Sequence, residues 1–219
     1  MISVIRLITW KDAAAAEVAA ATDAMRRASD APEVMHSCLA PSLPGGWNSG
    51  DLLWRLSFPE AAAISAWSTG SAWGRAEVAL AAACSRLDWV RMESGEGGAR
   101  KPELRGGVYR ALFLALEPCA TPEQVAQWSR DLLGMPRHIP EILNWRLSPT
   151  AASGGTRPWT HVWEQEFARV ENIKREYIEH PYHWGYVDRW FDPEMPARII
   201  ATELCHTFTA IDHSLLAVS

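Results

Sequence analysis

The sequence predicts an α+β fold in which two ferredoxin-like β-α-β-β-α-β units lie in tandem and face each other as an intramolecular α/β barrel. The hydrophobic period runs strand, helix, strand, strand, helix, strand, and the series then repeats. Trp54 to Phe58 recurs as Trp163 to Phe167, and Ala40-Pro41 as Ser148-Pro149, each pair leading into a Gly-Gly loop (Gly45-Gly46 and Gly154-Gly155). A β-α-β-β-α-β unit carries both helices on one sheet face. The bare faces of two such units can cover each other within one chain.

The elements follow in order. The β-branched run 2–10 predicts a strand; it is short, contains Arg6 and runs into Lys11-Asp12, so it does not read as a secretory signal. An alanine-rich helix is predicted over 12–30, strands near 33–41 and 51–58, a helical stretch near 60–82 and a strand near 86–92. The polar, Gly-rich segment 93–103 has linker chemistry. It suggests an N-terminal unit over 1–94, a linker over 95–106 and a C-terminal unit over 107–219. In the second unit the strands fall near 107–116, 142–148, 160–168 and 198–208, and the helices near 121–135 and 171–191.

Composition removes several function classes. The net charge is −5 with Lys and Arg scattered, which gives no basic footprint for nucleic acid or an anionic membrane surface. No apolar run reaches the roughly 20 residues of a membrane helix, so a soluble cytoplasmic protein is the expectation. The four cysteines, Cys38, Cys84, Cys119 and Cys205, stand far apart and form no C-x-x-C, and are read as reduced, mostly buried thiols. Serine-hydrolase, P-loop and dinucleotide signatures are absent. No cofactor is expected.

The densest chemistry lies in Tyr177-Ile-Glu-His180-Pro-Tyr-His183-Trp184-Gly-Tyr186. Spacings of three place Tyr177, His180 and His183 towards one pocket, subject to the break at Pro181. His180, before the proline, suits a helix cap as well as ligand binding. His183 would fall in the first turn after the proline, where the helix dipole favours an uncharged imidazole, and is the best general-base candidate. Tyr177 could donate to a carbonyl or oxyanion, though a Tyr at a helix end is also an ordinary core residue. The first unit has Leu52 where the second has His161, and Trp67 and Trp73 on the helix that corresponds to the Tyr/His segment. Gains confined to one unit point to a site rather than to the fold. His180-x-x-His183 lacks the unbroken helix and third ligand of zinc signatures, so no metal is expected.

Over residues 156–192 these features resemble the stress-responsive dimeric α/β barrel (Dabb) family, and in particular plant polyketide cyclases within it. The resemblance implies that His183 is a catalytic base assisted by Tyr177, that His161 lines the same pocket, and that an intermediate can be closed by aldol chemistry without metal or cofactor. A histidine of the family's first strand is replaced by Arg110, whose counterpart in the first half reads as Arg6. An arginine suits a carboxylate or phenolate. The expected site is therefore His183, Tyr177 and His161 for chemistry, with His180, Arg110, Trp163, Trp184 and Tyr186 around the ligand. The expected function is a cofactor-independent lyase, cyclase or isomerase on a small aromatic or ketone-bearing acid. The rivals are a non-catalytic small-molecule-binding barrel and a cofactor-free oxygenase. A homodimer is compatible with the fold but not required by it.

Overall fold

A computed structural model describes residues 1–12, 15–93 and 95–217. The first half contains β1 (Ile2–Trp10), α1 (Ala15–Ser29), β2 (His36–Pro41), β3 (Leu52–Phe58), α2 (Ala61–Thr69), α3 (Ser71–Ala83) and β4 (Cys84–Met92). After β5 (Glu96–Ala99), the second half contains β6 (Arg105–Leu114), α4 (Pro122–His138), β7 (Asn144–Pro149), β8 (Ala152–Gly154), β9 (His161–Phe167) and β10 (Cys205–His213). The strands form two antiparallel five-stranded sheets, ordered β2-β3-β1-β4-β8 and β10-β6-β9-β7-β5. Without β8 and β5, both sheets have the strand order of a β-α-β-β-α-β unit, which is the α+β class expected.

Both faces of each central strand are covered, and all seven residues of β3 are buried. Alternate residues sort into two layers. Val4, Ile8, Leu52, Trp54 and Leu56 pack under the helices of the first half, joined by Trp67 and Leu80. Ile5, Leu7 and Leu53 turn inwards and meet Tyr109, Ala111, Phe113 and Val162 of the second sheet. The outer face of that sheet, with Leu112, Leu114, Trp163 and Phe208, packs under α4 and the segment after β9.

The barrel is built from two sheets with stitched seams; its ladder does not run continuously around. At one seam Trp47 N–H donates to His206 O at 2.9 Å, His206 N–H donates back at 2.7 Å, and Leu43 N–H donates to Phe208 O at 2.8 Å. At the other seam the halves exchange edges: β5 pairs with β7 of the second half, and β8 pairs with β4 of the first. The Gly-rich segment read as linker therefore contributes a strand. Its glycines are needed because a Cβ at Gly97 would strike the Trp145 carbonyl. Sheet-to-sheet contact also includes a buried charge pair, Arg55 Nε to Glu164 Oε1 at 3.0 Å.

Three predicted elements differ. The stretch 60–82 is two helices, because Gly70 adopts an extended conformation between them (ψ 148°). The apolar residues near 198–201 form only an isolated bridge, Leu116 with Ile200, and the last strand starts at Cys205. The expected helix 171–191 is a chain of short turns: α over Val170–Asn172, π over Ile173–Tyr177 and His183–Val187, and 3-10 over Asp188–Trp190. Pro181 cannot donate to a continuing helix, and π turns take up the change of register. The cysteines are free, but only Cys205 is buried; Cys38 and Cys84 are half-buried and Cys119 is exposed. No helix of the described residues is long and apolar enough to cross a membrane.

Candidate active site

Arg110 organises the helix-side face of the second sheet. It lies on β6 opposite Gln165 of β9 and Phe208 of β10, and is 4% exposed. Its Nε donates to His206 Nε2 at 2.6 Å. Its Nη1 donates to the Tyr177 hydroxyl at 2.9 Å and, at very short range, to Gln165 Oε1. All three acceptors are neutral groups. Among the described residues no carboxylate lies within ion-pair distance of Arg110. A buried guanidinium is ordinarily matched by an anion, and Arg110 has neutral partners in its place.

Tyr177 ends the first π turn with its ring under Arg110, the guanidinium carbon 4.8 Å from the ring centroid. Its hydroxyl proton points to nothing better than Met135 Sδ, at 3.7 Å. His183 begins the second π turn and meets the Tyr177 ring edge-on, with centroids 4.9 Å apart. His183 Nδ1 lies 3.0 Å from Asp188 Oδ1, close enough for a charge pair but out of line for an aligned hydrogen bond. His206 joins this group from β10. Burial, then the Arg110 guanidinium and His183, hold its imidazole well below the usual histidine range. It is therefore neutral, and its Nε2 can accept from Arg110.

The turns that carry His183 are pinned to α4 by Asp131, which is buried. Asp131 Oδ2 accepts from Arg189 at 2.7 Å and from the Trp190 indole at 2.8 Å, and its backbone oxygen accepts from the Tyr182 hydroxyl at 3.1 Å. His180 acts as a cap, its Nδ1 accepting from Tyr182 N–H at 3.1 Å. Pro181 thus breaks the helix and His180 restarts it.

The structure brings together Tyr177, His183 and Arg110, but not His161. His161 pairs with Leu114, four residues along β9 from Gln165 and so about 13 Å away at strand rise. It packs edge-on to Trp128, with centroids 5.0 Å apart, and lines a separate 440 Å³ cavity with Ser129, Leu133 and Leu147. Trp163 is buried between these two ends, with its indole N–H unpartnered. Trp184 and Tyr186, read as pocket wall, are 66% and 51% exposed. The Trp184 indole donates to Ile178 O at 2.7 Å, and Tyr186 stacks on Tyr182 at 4.7 Å, so their rings lie on the outer surface of the turns.

Strand register also corrects the match of Arg110 with Arg6. Arg6 lies opposite Trp54, whereas Arg110 lies opposite Gln165, two residues beyond Trp163. Val4, opposite Leu56, holds the place of Arg110 in the first half. Arg6 instead sits over Trp73 at 4.2 Å and is matched by Glu77 at 2.6 Å. Sequence reasoning missed Gln165, His206 and Asp131. Gln165 was detectable by the comparison that singled out His161, since Leu56 stands in its place.

Burial lowers the His161 imidazole to about 4. A histidine held neutral in the fold but free to protonate when unfolded favours the unfolded chain in acid. Stability is thus fully present above about pH 6.5 and is lost as pH falls towards about 4. His161→Leu, the first half's residue, should flatten that part of the melting-temperature profile by an amount on the order of 3 kcal/mol. Melting curves from pH 7 to pH 4.5 for the two proteins check this.

Residues 108–202 match the family model of the stress responsive A/B barrel domain. That segment runs from within β6 past the bridge at Ile200 and contains Arg110, Tyr177 and His183, with His206 beyond it. A comparison with curated proteins gives no match. Among solved structures, an anthrone oxidase-like protein superposes with a TM-score of 0.68 at 11% identity, covering 100% of this chain and 94% of its own. A protein of Fusobacterium nucleatum described as a candidate monooxygenase gives 0.61 at 9% identity, covering 97% and 95%. A similarly described protein of Lactobacillus acidophilus gives 0.55 at 10% identity, covering 94% and 92%. At these identities the likeness is one of fold over the full length.

Proposed function

We propose that the protein is a cofactor-independent acid/base enzyme, of the lyase, cyclase or isomerase kind, acting on a small aromatic or ketone-bearing acid. The observation that carries this reading is the buried Arg110, held by His206, Gln165 and Tyr177 with no carboxylate partner among the described residues, and joined to His183 through the Tyr177 ring that both contact. A substrate carboxylate or enolate would supply the missing charge. Asp188 beside His183 Nδ1 favours the tautomer protonated there, leaving Nε2 to take a proton from carbon. The Tyr177 hydroxyl, already accepting from Arg110, would turn its proton from Met135 to the developing oxyanion. We read the halves as tandem copies, which the equal strand orders support, and read the second as similar to olivetolic acid cyclase over 156–192 on its sequence. A homodimer is unforced, since both faces of each sheet are already covered.

The test compares a phenolic acid with its neutral amide against wild type and Arg110→Met by calorimetry. A charge-assisted contact is worth about 1.5–3 kcal/mol, so the acid should lose roughly 10- to 150-fold in affinity while the amide changes little. Equal weakening of both would remove the anion from the reading.

A second reading is a cofactor-free oxygenase at the same site, favoured by full-length neighbours described as monooxygenase or oxidase-like. There His183 would deprotonate an electron-rich phenol that then meets dioxygen. Turnover that persists without oxygen supports the first reading; turnover that consumes oxygen stoichiometrically supports the second.

A further inference from the structure

A second polar centre lies inside the barrel, on the opposite face of the second sheet from Arg110 and His183. Glu164 points between the sheets and is fully buried. Its Oε1 accepts from Arg55 Nε at 3.0 Å and from the Tyr109 hydroxyl at 2.6 Å. Its Oε2 has no hydrogen-bond partner among the described residues. Arg55 also donates to the buried Ser57 and Ser3 hydroxyls, at 2.8 and 3.3 Å. Glu164 lines a cavity of about 260 Å³ together with Ser3, Ser148, Arg146, Met92 and Glu93. Arg146, cross-strand neighbour of Glu164, donates to Leu216 O at 3.1 Å and has no carboxylate partner among the described residues.

Burying a carboxylate oxygen without a donor costs free energy that a core of apolar residues would avoid. The unused acceptor therefore calls for a donor from a guest, and the Arg146 guanidinium on the same cavity wall for a carboxylate. Arg55 and Glu164 cancel each other, and Glu93 at the rim is matched by Arg91 at 3.2 Å. Arg146 is left as the unmatched charge, which selects an acid over a simple amine. A cavity of about 260 Å³ has room for a small acid.

We propose that this inter-sheet cavity is a ligand site, separate from the helix-side site, for a small carboxylic acid bearing an adjacent O–H or N–H donor, as in a 2-hydroxy or 2-amino acid. The carboxylate meets Arg146, the donor meets Glu164 Oε2, and Ser3 and Ser148 supply the remaining polar wall. It rests on no assumption about the chemistry at His183.

The experiment uses a matched series, L-lactate, L-alanine and propionate, which lacks the 2-substituent, with ethanolamine as the donor lacking a carboxylate, followed by calorimetry and thermal shift on the full chain. Lactate or alanine should bind at least about tenfold more tightly than propionate and ethanolamine, a gap that one satisfied hydrogen bond to a charged group supplies. Arg146→Ala should weaken every carboxylate of the series at least about tenfold and so abolish the preference over ethanolamine, and Ser148→Val should reduce binding by filling the cavity; both leave Arg55 and Glu164 themselves in place. Binding must survive in His183→Ala, which separates this site from the other one. Equal affinity across the series, no binding by any member, or a preference over ethanolamine unchanged in Arg146→Ala overturns the proposal.

Discussion

His183→Ala lowers turnover on a competent substrate by about 10² to 10⁴ while leaving ligand affinity within a few-fold, because removing a positioned general base costs that much in rate. The imidazole touches Tyr177 edge-on and is 16% exposed, so its loss leaves a small gap at the edge of the core without collapsing it. Arg110, the proposed anion anchor, keeps its three partners in this variant, which is why binding survives. Tyr177→Phe costs less, since the guanidinium remains to meet an oxyanion. Trp73→Ala is the control: Trp73 packs on Trp54 and Trp67 in the first half, so this variant affects melting and not the rate of the folded protein. The checks are kcat, ligand affinity and melting temperature for each variant. If His183→Ala melts lower but the folded fraction keeps its specific activity, His183 is structural and the protein belongs with non-catalytic binding barrels.

Glu164→Ala destabilises the fold by about 3–5 kcal/mol, the range for breaking a buried ion pair from one side. The reason is what it leaves behind. Arg55 is 1% exposed, and burial disfavours its charge, but Glu164 and Tyr109 more than offset that and keep it protonated. Without Glu164 the guanidinium retains only the Ser57 and Ser3 hydroxyls. For a chain of this length the melting temperature should drop by roughly 10 °C. Replacing both partners, Arg55→Met with Glu164→Leu, should recover most of that loss, because no buried charge is then orphaned. Denaturation of the single and double variants decides it: a double variant as unstable as the single one would show that the pair is not what the cost measures. The pair joins β3 to β9, so the same experiment reports on how the two sheets are held together.

Much of the fold was legible in the sequence because it depends on local periodicity. The β-branched apolar run over 2–10 and the Trp-to-Phe repeat in 161–167 mark strands whatever surrounds them, and Trp54 and Trp163 fix a shared register by their pairing with Leu39 and Leu147. The edge strands β5 and β8 were not legible. Their glycines carry no alternating pattern, and only the facing sheet supplies their partners. The last predicted helix failed for a related reason: its apolar spacing is helical, but Pro181 forces turns that are held by Asp131 from another element.

At the site, the sequence by itself determined which half carries the candidate groups, because His161, Tyr177, His180 and His183 have no counterparts in the first half. It also singled out Arg110 as the departure that favours an anion. Only the tertiary structure decided which of these groups meet. Positions along one strand differ by about 3.4 Å per residue, so His161 and Gln165 share a face yet serve different ends of it. His206 reaches Arg110 across a ladder between strands almost a hundred residues apart. Its neutrality comes from burial and from the guanidinium beside it, neither of which exists until the chain has folded.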